Sequence, residues 1–208
     1  MKTTDARAAR NEDCDHRKIY RPRPPFHTLK CLGPALFRDR YARDYACILD
    51  FDPDVISWKC VPEAIVNDSG AANARWWHVD FVVEATSERL LVEVWQTTTG
   101  GPSWLPKVAE RMGCRHQPVS IQAVDQIRLQ NAKDLLHYAG SEVPLGDRIR
   151  VLAALDEMGT LTLAECLSVV REGRAMHSIA SLILSGILDV DLSEALLGPD
   201  TVVRRGSK

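Results

Sequence analysis

The chain has 208 residues, 45% of them hydrophobic, and a formal charge of −2, which suits one globular domain of ordinary size plus a small second one. The near-neutral charge excludes a global electrostatic pull toward nucleic acid, so any DNA contact must come from a local basic patch. Met1 to Asp15 is polar and charged, and no apolar run reaches transmembrane length, which predicts a cytoplasmic protein with no membrane contact.

Residues 1–33 read as a basic arm, because Arg21-Pro22-Arg23-Pro24-Pro25 cannot be helical and runs extended. Arg17, Lys18, Arg21, Arg23, Lys30, Arg38, Arg40 and Arg43 form one patch, interleaved with Tyr20, Phe26, Phe37 and Tyr41, with Asp39 its only acid. Such an arm feeds phosphate contacts on double-stranded DNA; a solvated tail leading into an amphipathic helix has the same composition. Between Pro34 and Leu49 the apolar residues Leu36, Phe37, Tyr41, Tyr45, Ile48 and Leu49 recur near helical spacing, which predicts a helix starting near the proline. Asp50-Phe51-Asp52-Pro53-Asp54 ends it.

Val55 to Val61 reads as a strand and Asn67-Asp68-Ser69-Gly70 as a turn. Trp77 to Val83 and Arg89 to Gln96 are short, β-branched runs on either side of Ala85-Thr86-Ser87-Glu88, and they predict a hairpin. Strand alternation puts Trp77, Val79, Phe81 and Val83 on one face with Leu90, Val92 and Val94. The other face then carries Asp80 with His78 and Glu93 with Trp95, so two carboxylates converge there. A flexible loop, Thr97 to Ser103 with Gly100-Gly101-Pro102, follows directly. Trp104 to Met112 reads as a helix closed by Gly113, His116 to Val119 as a strand, and Asp125 to Tyr138 as mostly helical, ended by Gly140. Helix, three strands, helix, strand is an α/β sandwich over residues 34–139.

Ala139 to Leu145 reads as a linker. In residues 145–208, Arg148 to Leu155 is a helix, Thr162 caps a second one through Val170, and Arg174 to Ser185 is a third ending at Gly186. Ile187 to Leu192 and Thr201 to Val203 are short extended pieces, and the whole fits a winged helix-turn-helix. Its third helix offers Arg174, His177, Ser178 and Ser181 to a groove, which is thin for reading bases and suits docking on a protein or packing on the first domain. Six cysteines are scattered with no C-x-x-C pair and read as free thiols; Cys114 and His116 lack a second pair at zinc-site spacing.

Asp80 and Glu93 suit the chemistry of phosphodiester cleavage, in which carboxylates hold Mg²⁺ or Mn²⁺ and a nearby lysine positions or deprotonates the water. The simpler alternative is that Asp80 pairs with His78 or an arginine on a wet sheet face. The runs Asp50 to Val55, His78 to Val83 and Leu91 to Val94, with Trp58 and Pro62, resemble the N-terminal domain of TnsA-type transposon endonucleases, members of the PD-(D/E)xK nuclease superfamily. The resemblance continues through Val108 to Gly113, Asn131 to Leu136 and Gly186 to Leu192. It implies a restriction-endonuclease-like αβββαβ core, a winged-helix-like C-terminal domain that binds an ATPase regulator, and a metal-dependent cut at transposon ends made beside a DDE-type transposase.

Two of the features it implies are displaced. The lysine position is Trp95, which offers one indole N–H. Gln96, re-aimed by a bulge, or Lys107, reaching back from the next helix, are the substitutes an active enzyme would use. The acid expected on the first helix falls at Arg43, with Asp44 beside it and rotated about 100° away. Loss of cleavage with retention of the fold is the simplest account. Trp95 then either stacks on a base or sugar or fills the space of metal and lysine. A third reading is a winged-helix regulator or interaction module of a mobile element.

Overall fold

The computed structural model describes residues 27–61, 63–67, 75–97 and 100–206. In chain order it contains α1 (Arg40–Phe51), β1 (Val55–Cys60), β2 (Ile65–Asn67), β3 (Arg75–Trp77), β4 (Phe81–Ala85), β5 (Arg89–Trp95), α2 (Leu105–Arg111), β6 (Arg115–Ser120) and α3 (Gln126–Leu136). The principal sheet has the order β1-β4-β5-β6. Neighbours β1, β4 and β5 run antiparallel, whereas β6 is parallel to β5 because α2 carries the chain across the sheet between them. The protein is therefore mixed α/β.

Each face of this sheet has its own core. On one side α1 and α3 contribute Ala42, Tyr45, Ala46, Leu49, Leu129, Ala132 and Leu136, packed on Trp58, Phe81, Val83, Val92 and Val94. Phe37, Trp58 and Phe81 meet there with centroids 5.4 to 6.4 Å apart. On the other side Leu105, Val108 and Ala109 of α2 cover Val82 and Leu91, together with Ile65 and Val79. A strand buried on both faces carries no clean alternation, which is why β5 reads as a nearly continuous apolar run.

Three local details differ from the sequence reading. α1 begins at Arg40 rather than near Pro34, because the Asp39 carboxylate accepts from the Tyr41 and Ala42 N–H groups and caps the helix there. Trp77 belongs to β3, which pairs with β2 in a separate two-stranded ribbon, Trp77 opposite Ile65. The chain leaves strand geometry between Trp77 and Phe81, so Val79 packs with Val82 and Leu91, on the opposite face from Phe81. Strict alternation fails where the strand itself stops.

Beyond α3 lie α4 (Leu145–Met158), β7 (Leu161–Thr162), α5 (Leu163–Val169), α6 (Ala175–Leu184), β8 (Leu188–Val190) and β9 (Val202–Arg205). A small antiparallel sheet of order β7-β9-β8 packs with these helices around Val151, Leu155, Cys166, Ile179, Leu182 and Val203. Thr162 caps α5 in a reciprocal box with Glu165. The buried Asp147 carboxylate accepts from the N–H groups of Arg171, Glu172 and Gly173, fixing the turn between α5 and α6. Asn131 of α3 ties this unit to the first: its amide donates to the Leu192 and Ala195 carbonyls and accepts from the Leu197 N–H. Among the described residues no helix is long and apolar enough to cross a membrane.

Candidate functional site

Asp80 sits where β4 parts from β5. Its own N–H still donates to the Val92 carbonyl at 2.9 Å, but the next ladder donor, Val94 N–H, is taken by the Asp80 side chain at 2.7 Å. The carboxylate thus lies in the fork between the strands and is only 5% exposed. Arg38, the residue before the cap of α1, reaches into this fork. Its Nη2 lies 3.2 Å from Asp80 Oδ2 and donates to the Val94 carbonyl at 2.7 Å, and its guanidinium lies over the Trp95 ring at 5.2 Å. Burial pushes the Asp80 carboxyl up to about 7, against the pull of Arg38 and the Val94 N–H.

Glu93, in the neighbouring strand β5, is sealed differently. It has no exposed surface; it accepts from the Trp77 indole N–H, and His116 Nε2 of β6 stands 2.9 Å from its second oxygen. The loop before α2 closes over it: a Cβ added to Gly101 would lie 2.7 Å from Glu93 Oε2 and 3.0 Å from a Leu105 methyl. Trp95 leans against Trp77 at 6.0 Å and 41°, between Arg38 and that indole.

A divalent ion does not fit this arrangement. Both Glu93 oxygens already have partners, and Asp80 keeps only Oδ1 without a hydrogen bond among the described residues. The Arg38 cation takes Oδ2. No group of three or more His, Cys, Asp or Glu side chains is placed to hold a metal among the described residues, whereas Mg²⁺ demands an octahedron of oxygens. The charge of Glu93 is felt at Asp80, but the two carboxylates are held by separate partner sets.

The remaining sequence candidates scatter. Asp44 pairs with Arg43 at 2.6 Å and with Lys133 of α3 at 3.4 Å. Lys107 is exposed on α2, whose buried residues are Leu105, Val108 and Ala109. Gln96 is exposed and lines the cavity beside Trp95. Arg40 is exposed and donates to the Tyr41 hydroxyl. Arg17, Lys18, Arg21 and Arg23 lie outside the described residues. Sequence reasoning allowed an arginine partner for Asp80 but assigned Arg38 to DNA, and it gave His116 no part in the site. The signal for Arg38 was its position immediately before an aspartate able to cap a helix.

In the C-terminal unit, the groove-facing set on α6 is largely spent. Ser178 is buried, His177 packs edge-on against Tyr138 at 5.0 Å, and the Ser181 hydroxyl donates to the Ser141 carbonyl. Of the four, Arg174 alone is exposed. Comparison of the chain with protein-family models and with curated proteins finds no match.

Proposed function

We propose that the chain is a TnsA-like, DNA-contacting component of a transposition complex, built on a restriction-endonuclease-like core whose phosphodiester cleavage is impaired or lost. The observation that carries the reading is Arg38: a protein cation, bonded to Asp80 and stacked on Trp95, stands where the resemblance implies a metal and a lysine. The strand order β1-β4-β5-β6 with a crossover helix, and acids just before β4 and within the neighbouring β5, support the nuclease-like core. The engagement of α6 with Tyr138 and Ser141 favours packing or protein docking over base reading by the C-terminal unit. This is the observation that weighs against a winged-helix regulator.

On this account the protein works beside a DDE-type transposase and an ATPase regulator, and adjacent reading frames encoding both would support that role. Its own contribution is to hold DNA, through the basic arm and the surface around Trp95. Duplex binding measured by fluorescence anisotropy falls with salt, with a slope of about −0.9 for each phosphate contact. Replacing Arg17, Lys18, Arg21 and Arg23 by serine flattens that slope by about three to four. Absence of any salt-dependent binding by the full chain at low ionic strength would sink the proposal.

A further inference from the structure

The fork between Arg38 and Trp95 opens into a half-enclosed cavity of about 380 Å³, lined by Arg38, Tyr41, Trp77, His78, Trp95 and Gln96 among others. That volume is within the range of sites that hold small planar ligands. The two indoles meet at 41° and so form adjoining walls rather than a closed stack. Trp95 Nε1 is a buried donor with no hydrogen-bond acceptor among the described residues, and a buried donor calls for one; Arg38 Nε is buried too but faces the Asp39 carboxylate. The fitting ligand is therefore flat and carries acceptors. It is not an anion: Arg38 is already flanked by Asp80 at 3.2 Å and Asp39 at 3.7 Å, so the local charge balance offers a phosphate little.

We propose that this cavity takes an unpaired nucleobase of a DNA end, nick or flap. Ring nitrogens and carbonyls of a base supply the acceptors, and its π-face meets the indole walls. A paired base cannot enter, because its faces are stacked within the duplex and a pocket of this shape receives a base only once it leaves the stack. The inference rests on the DNA-contacting reading above and narrows it to a preference for DNA with unpaired bases.

The test compares, for the full chain, a blunt duplex with the same duplex carrying a single-stranded overhang that contains 2-aminopurine, followed by anisotropy and by 2-aminopurine emission. The overhang is bound roughly tenfold tighter, with a change in emission. Trp95→Leu brings the ratio close to one, and Trp95→Phe, which keeps a ring, retains most of it; thermal melting checks that both variants fold. Equal binding of both DNAs by the wild-type chain overturns this inference and leaves the DNA-contacting reading standing. Binding of neither overturns both. Binding of free 2-aminopurine riboside as tightly as the overhang also overturns it, in favour of a small-molecule site.

Discussion

Removing Arg38 should cost the protein more at high pH than at low pH. The side chain is 32% exposed, while the Asp80 side chain it meets is 1% exposed, so the pair is screened from one side only. Losing one partner of a fully buried pair costs about 3–5 kcal/mol, and the partial exposure here lowers that to about 2 kcal/mol. That charge cost exists only while Asp80 is ionised, and burial holds its carboxyl up to about 7. An acid raised in this way contributes stability that is full below its unfolded value of about 4 and fades as pH rises through about 7. Arg38 opposes the fading, because it pairs with the carboxylate once formed. In Arg38→Met the loss near pH 5 is then about 1 kcal/mol, chiefly the bond to the Val94 carbonyl, and near pH 8 it grows to about 2 kcal/mol, because an Asp80 that can keep its proton limits the added loss to about 1.4 kcal/mol one pH unit above 7. Urea denaturation at the two pH values, with Arg38→Met/Asp80→Asn as the control in which the growth disappears, measures this. Equal losses at both pH values would refute the claim that Arg38 acts as the counter-ion of Asp80.

Gly101→Ala should destabilise by about 1–3 kcal/mol, since the new methyl meets the sealed Glu93 carboxylate at 2.7 Å and cannot push it into solvent; thermal melting reads the loss. Trp77→Phe removes an indole donor from a carboxylate with no exposure and should cost about 2 kcal/mol, part of which Glu93→Gln restores in a double-variant cycle. Asn131→Leu should free the segment at Leu192 to Leu197, costing about 2–3 kcal/mol and opening it to limited proteolysis while far-ultraviolet circular dichroism stays unchanged.

Much of the frame was legible in the sequence because its signals are local. The run from Val55, the second of the two runs around Thr86, Gly113 after α2 and the Thr162 cap each lie within a few residues of the element they mark, and β1, β5, α2 and α5 fall where these signals put them, whereas of the run from Trp77 only the part from Phe81 onward belongs to β4. The β2–β3 ribbon escaped notice because three-residue strands are shorter than any alternation pattern. The face of Val79 was misread because alternation was carried through residues that are not strand. The site was half legible: the two acids stand out as charges in apolar runs, but their partners are set by contacts that no spacing rule reports. Arg38 is 42 residues from Asp80 and His116 is 23 from Glu93. In a run as basic as residues 16–43, an arginine that turns inward has the same sequence signature as one that faces solvent.

On the proposed reading, Arg38 and Trp95 hold the place of a metal and a lysine. That reading is tested most directly by nicking of supercoiled DNA in Mg²⁺ or Mn²⁺ by the wild-type chain and Asp80→Ala. The two are expected to be indistinguishable, both at background. Nicking by the wild-type chain that depends on the divalent ion and vanishes in Asp80→Ala would contradict it.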